Sequence, residues 1–291
     1  MIWNKTEITA LRGKFIGNSL RHAIQDSAIE RITSERQGIV KLTTYILNSL
    51  PKLKIMKRHR ELFQQAIYFQ KHFGIKPVHI LWFPCPLEKK LPTGAKKTLD
   101  VEEINSACTF HNETPFIAIY RWEEAPKVLF HELIHFNRLD DTVSPGQNIN
   151  IQYLYGINHP IFIQEVYSEV CALLLNLHYN SSLENYPIEF AFMTFQAQKI
   201  LKFYSVKSIQ ELHKIQSNTN LIAYFIFKLA YLNTISDIKV EFDRLYRDGF
   251  KLKDPHRFIK RINLGLPSLF QVEKIENIPE LSETMRMSII E

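Results

Sequence analysis

The chain has 291 residues, of which 45% are hydrophobic, 12% aromatic and 23% charged. That balance excludes a chain that stays disordered, which would carry more charge and fewer rings, and 9 Gly with 13 Pro exclude a collagen-like repeat. The formal charge of +6 is a mild basic excess that does not by itself indicate nucleic acid.

Cys85, Cys108 and Cys171 are odd in number, far apart and in no CxxC pair, so neither a disulfide framework nor a thiolate metal knuckle is expected and a reducing compartment fits better. The stretch from Met1 to Glu7 lacks the apolar core of a secretory leader. The most apolar run, Leu221 to Leu232, is broken by Lys228 and falls short of the roughly 18 residues of a membrane span. The expectation is a soluble, intracellular protein that is not secreted.

Residues 1–75 read as a helical N-terminal region, with Leu62, Phe63, Ala66, Ile67, Phe69 and Phe73 at helical spacing. Lys52, Lys54, Lys57, Arg58 and Arg60 form a basic run there, which suits a solvated helix face or docking to an acidic partner. From Val78 to Phe83 a short apolar run ended by Pro84 and Pro86 reads as a strand. A loop with Lys89, Lys90, Pro92, Gly94, Lys96 and Lys97 follows. Ile104 to Phe110 and Pro115 to Tyr120, separated by the turn-rich His111-Asn112-Glu113-Thr114, predict a hairpin, with His111 exposed at its turn.

Glu123, Glu124 and Pro126 suit a helix start, because the free N–H groups there favour negative charge and proline has no N–H to lose. The predicted helix runs from about Glu124 to Arg138. A long loop from Leu139 to Pro160 precedes a second helix over about Ile161 to His178, and the remainder to the C-terminus is mostly helical in pattern. The division is therefore a helical region over 1–75, a core over 76–180 and a helical region over 181–291, which could pack as one domain.

His131-Glu132-Leu133-Ile134-His135 lies on the first of those helices. Residues four apart share a helix face, so two imidazoles can reach one metal ion while Glu132 leans over its open position. Two imidazoles and a carboxylate suit Zn²⁺, whose bound water Glu132 would deprotonate for attack on a carbonyl. The flanks Val128, Leu129, Phe130, Leu133, Ile134 and Phe136 are apolar, so the histidines belong to a buried helix and need partners.

For the third ligand, Glu165 and Glu169 are four apart on the second helix, one able to bind metal and the other to accept the outer N–H of a ligating histidine. Asp141, His159 and His178 are the other possibilities. Asp141 stands where some metzincin relatives carry a ligand, but Arg138 stands where those enzymes need the glycine that turns the chain back.

HExxH followed about thirty residues later by a helix bearing a Glu and a second acid four residues on resembles the gluzincins, the thermolysin-like metallopeptidases. The resemblance implies that Glu165 is the third zinc ligand and Glu169 the supporter of His131, with Gln164 and Glu169 in place of the family's Asn and Asp. Tyr155, with Tyr153 and His159 nearby, stands at the distance of the group that steadies the oxyanion, and Pro115 to Tyr120 is the strand that would pair with an extended substrate. Residues of about 80–180, from the strand ending in Trp82 and Pro84 through Trp122-Glu123-Glu124 to Asp140, are also similar to uncharacterised metallopeptidase-like proteins encoded by large nucleocytoplasmic DNA viruses, whose compartment would be host cytoplasm or virion.

The sequence thus predicts an α+β, mainly helical zincin-like fold with a small mixed sheet above the HExxH helix. The expected function is zinc-dependent hydrolysis of peptide bonds in a peptide or protein substrate. A catalytically silent, metal-stabilised virion or scaffold protein is the alternative, and a DNA or tubulin partner for the Lys52 to Arg60 run comes after both, nucleic acid not being the expected partner.

Overall fold

A computed structural model describes residues 2–36, 38–92, 98–159, 161–271 and 283–289. The fold is α+β with one five-stranded mixed sheet. The chain divides into two compact units, one built from residues 1–88 and 105–138, the other from residues 89–104 and 139–290.

The first unit holds α1 (Lys5–Arg12), α2 (Asn18–Ser27), β1 (Ala28–Arg36), β2 (Val40–Leu47), α3 (Lys52–His72) and β3 (Val78–Cys85). The connection after β3 carries the short α4 (Val101–Ile104), which belongs to the second unit. β4 (Ala107–Phe110), β5 (Phe116–Arg121) and α5 (Ala125–Phe136) complete the first. The sheet order is β1-β2-β3-β5-β4, with β2, β3 and β5 parallel and the two outer strands antiparallel to their neighbours.

The central strands are rich in β-branched and aromatic residues and buried along nearly their whole length, as strands covered on both faces require. Alternation assigns the two faces: Leu81, Phe83, Phe116, Ala118 and Tyr120 join Ala10, Leu11, Leu20 and Ile24 of α1 and α2 in one core. On the opposite face α3 packs on β2, and α5 on β4 and β5. Pro84 sits where the β3–β5 register shifts, between Trp82 and Cys85, so its missing N–H costs no ladder bond.

Two sequence expectations change here. Residues 1–75 are not helical throughout, because residues 28–47 form the β1–β2 hairpin. β1 is an edge strand carrying exposed Glu30, Arg31, Glu35 and Arg36, charges that keep an edge from pairing with other chains but hide the two-residue alternation. Gly38 supplies the turn at φ +67°, a region side chains rarely enter. The hairpin predicted at Ile104 begins at Ala107, since Ile104 ends α4; from there the register is as expected, Ala107 opposite Ile119 and Phe110 opposite Phe116.

In the second unit the segment read as a loop from Leu139 to Pro160 contains α6 (Pro145–Leu154). Ser144 caps it by accepting from the Gln147 N–H while the Gln147 side chain accepts from the Ser144 N–H, so the breakers Pro145 and Gly146 mark a helix start. Pro160 lies outside the described residues, as do Gly94, Lys96 and Lys97 of the lysine-rich loop.

α7 (Ile163–Tyr179) is buried on almost every side from Val166 to Leu177. A π-helical stretch at Ile222–Phe227 and α9 (Lys228–Leu232) pack against it, α8 (Tyr186–Phe203) packs on those two, and α10 (Ile238–Arg247) and α11 (Pro255–Gly265) follow. Gly265 allows α11 to lie on α9, because a Cβ there would meet the Ala230 carbonyl oxygen at 1.8 Å. No helix among the described residues is long and apolar enough to cross a membrane.

Candidate metal centre

α3 holds α5, and with it the HExxH histidines, by buried polar contacts. Gln65 donates to the Pro126 carbonyl at 3.0 Å, and Asn137, just past the helix, donates to Gln70 Oε1 at 2.8 Å and accepts from the Ile75 N–H at 2.9 Å. Asn137 also donates to the Leu133 carbonyl at 2.9 Å, in the last turn of a helix buried on nearly every side, where a polar group left unpaired would cost stability.

His131 and His135 then project from one face. Their Nε2 atoms lie 2.9 Å apart and their rings meet edge to face with centroids 4.6 Å apart. His131 is buried and His135 half-buried. Both nitrogens aimed at one point is a geometry two imidazoles adopt to share a proton or a cation. Glu132 is buried, and its Oε2 lies 2.7 Å from the Thr109 hydroxyl on β4, which also lies 3.0 Å from the Glu132 carbonyl oxygen. A hydroxyl has one hydrogen to give, so Thr109 ties either the carboxylate or the backbone to the edge strand.

On α7, Glu165 Oε2 accepts from the Tyr224 hydroxyl at 3.0 Å and Glu169 Oε2 faces Lys228 Nζ at 3.1 Å. Two residues four apart on α7 thus meet Tyr224 of the π-helical stretch and Lys228, four residues later at the start of α9. Glu169 and Lys228 are 3% and 1% exposed, and Lys228 also donates to the Met287 carbonyl at 3.2 Å.

His131, His135 and Glu165 could together hold a metal ion: each offers one ligand atom, and these atoms all lie within 4.8 Å of one another. Asp141, His159, His178 and Glu169 are not in that group. Arg138 does adopt the left-handed turn expected of a glycine, at φ +54°, yet Asp141 stays exposed. His178 stacks on Phe242 with centroids 4.2 Å apart, and burial lowers its pKa against the opposing pull of Asp243.

The expected substrate strand changes. Pro115 to Tyr120 is no edge, because β5 is paired on one side with β3 and on the other with β4; the terminal strand is β4. Tyr155 ends α6 with its hydroxyl donated to Asn263 Oδ1 at 2.6 Å, its pKa pushed up to about 12 by burial. Tyr153 is exposed, as is His111 at the hairpin turn. Thr109, Tyr224 and Lys228 are the site residues that sequence reasoning missed. For Tyr224 and Lys228 a signal existed, a hydroxyl and an ammonium inside an otherwise apolar run, where each must find a partner.

The basic run on α3 is mainly a solvated face: Lys54, Lys57 and Arg60 are exposed, Lys52 pairs with Glu30 at 2.5 Å, and Arg58 pairs with Glu61 and lies over the Trp122 ring.

No protein-family model, curated protein or solved structure matches the chain.

Proposed function

We propose that this protein is a zinc-dependent metallopeptidase in which His131, His135 and Glu165 hold the ion. The observation that carries the reading is the convergence of those three side chains' ligand atoms within 4.8 Å. The donor set, two imidazole nitrogens and one carboxylate, is the one Zn²⁺ takes in hydrolytic sites while leaving a coordination position open. When bound, the ion supplies a Lewis acid that polarises a carbonyl and lowers the pKa of a water.

The chain's own groups supply the rest. Glu132 takes the proton of the attacking water and hands it to the departing amine, with the Thr109 hydroxyl 2.7 Å from its Oε2. Tyr224 fixes the orientation of Glu165 through Oε2. Lys228 pairs with Glu169 at a buried position on the same helix. β4, as the terminal strand, is where an extended peptide can add to the sheet, and the Thr109–Glu132 contact puts that strand beside the general base.

Digestion of a broad peptide library by the zinc-loaded protein, with Glu132→Gln as the comparison, tests this. Cleavage by the wild type and at least a hundredfold loss in the variant with metal retained is expected. No cleavage by a protein that still binds zinc would instead favour a metal-stabilised scaffold.

A further inference from the structure

The second unit contains a pocket of about 330 Å³ that no part of the peptidase reading uses. Its lining includes Arg244 on α10, Lys251 and Lys253 on the following loop, Arg257 and Arg261 on α11, and Tyr167 on α7. Asp248 and Asp254 also line it.

The cations are not all consumed by structure. Arg244 and Arg261 both reach Glu241, at 2.6 and 3.0 Å, and Arg244 and Lys253 reach Asp248 at 3.4 and 2.8 Å. Asp254 caps α11 by accepting from the Arg257 N–H at 2.9 Å. The Lys251 and Arg257 side chains meet no carboxylate within ion-pair distance among the described residues. Set against the five cations, Asp248, Asp254 and Glu241 leave an excess of two positive charges at the pocket.

A second, independent observation points to a ligand. Tyr167 is 2% exposed, and its hydroxyl forms no hydrogen bond of adequate geometry; the Cys171 thiol beside it is a weak partner. A buried hydroxyl without a partner costs stability unless something else satisfies it. Phe258 lines the pocket beside its cations and gives it an apolar wall.

We propose that this pocket binds a phosphate monoester, a small molecule with a dianionic head and an apolar body. The two surplus charges match the phosphate, whose oxygens Arg257 and Lys251 engage directly, Arg257 through its planar fork. The start of α11, an eleven-residue helix, adds a favourable dipole, and the Tyr167 hydroxyl donates to an oxygen. The body of the ester lies against Phe258.

Isothermal titration of the full chain with inorganic phosphate and with phenyl phosphate tests this, at low salt and with no added metal. Saturable binding of both is expected, phenyl phosphate tighter, with affinity falling at least tenfold in Arg257→Gln/Lys251→Gln and falling in Tyr167→Phe. The first two side chains are exposed, so that variant should melt with the wild type. His135→Ala should bind phenyl phosphate unchanged, which separates this pocket from the metal centre. Absence of binding, equal affinity in the double variant, or loss in His135→Ala would overturn the proposal. So would binding confined to vesicles containing phosphatidylinositol 4-phosphate, which would make the surface a membrane contact.

Discussion

Replacing Lys228 by Met removes a charge without removing its length, and the consequence can be worked from the structure. Glu169 and Lys228 are 3% and 1% exposed with 3.1 Å between Oε2 and Nζ. At an effective dielectric of about 20 the attraction at that separation is about 5 kcal/mol, of which desolvation of the two ions offsets a large part. The variant keeps the cost of burying Glu169 and loses the attraction, and the Met287 carbonyl loses its donor as well. Lys228→Met should therefore lose about 3–5 kcal/mol of unfolding free energy, a large share of the 5–15 kcal/mol typical of a folded protein. Urea denaturation followed by far-ultraviolet circular dichroism measures it. Glu169→Leu combined with Lys228→Met should recover much of the loss, since the uncompensated charge is gone. A loss below about 1 kcal/mol in the single variant would mean that Glu169 is not a buried carboxylate relying on Lys228, and would refute the reasoning.

Other expectations follow from separate features. Gly265→Ala puts a methyl 1.8 Å from the Ala230 carbonyl oxygen and should destabilise by about 2–3 kcal/mol, read in the same denaturation. Tyr224→Phe removes the hydroxyl that holds Glu165 and should weaken zinc binding roughly tenfold in a competition titration, with the melting temperature of the metal-free protein little changed. At Glu241, burial pushes the pKa up but hydrogen bonds from Arg244 and Tyr231 and the charge of Arg261 outweigh it, holding the carboxyl at about 2. A carboxylate so depressed stabilises the fold above its ordinary pKa near 4.5 and loses that contribution as pH falls toward 2. The stability difference between wild type and Glu241→Gln, roughly 2 kcal/mol at pH 6 once solvent screening is allowed for, should shrink steadily below pH 4.

The parts of the molecule legible from sequence were those whose chemistry is local. α5 and α7 announce themselves by apolar periodicity, and the β4–β5 hairpin by the turn residues between its strands. HExxH is a pattern within a single helix turn, and Glu165 follows from a carboxylate pair at helix spacing. What escaped depends on context. β1 is an exposed, charged edge whose pattern resembles a solvated helix, and only its pairing with β2 identifies it. α6 was hidden because Pro145 and Gly146 read as breakers, although Ser144 and Gln147 three residues apart were the signal of a cap. The position of β5 inside the sheet cannot be read from β5, since strand order depends on where β3 lies, and this misdirected the choice of substrate strand. Tyr224 and Lys228 sit 59 residues beyond the carboxylates they serve, a pairing set by how the π-helical stretch packs on α7.

The metal content of the purified protein tests the account most directly. Atomic absorption on the wild type, prepared without chelators, should give one zinc per chain, and His135→Ala, prepared in parallel and folded, should give much less. A metal-free wild type, or a His135→Ala variant retaining a full equivalent of zinc, would contradict it.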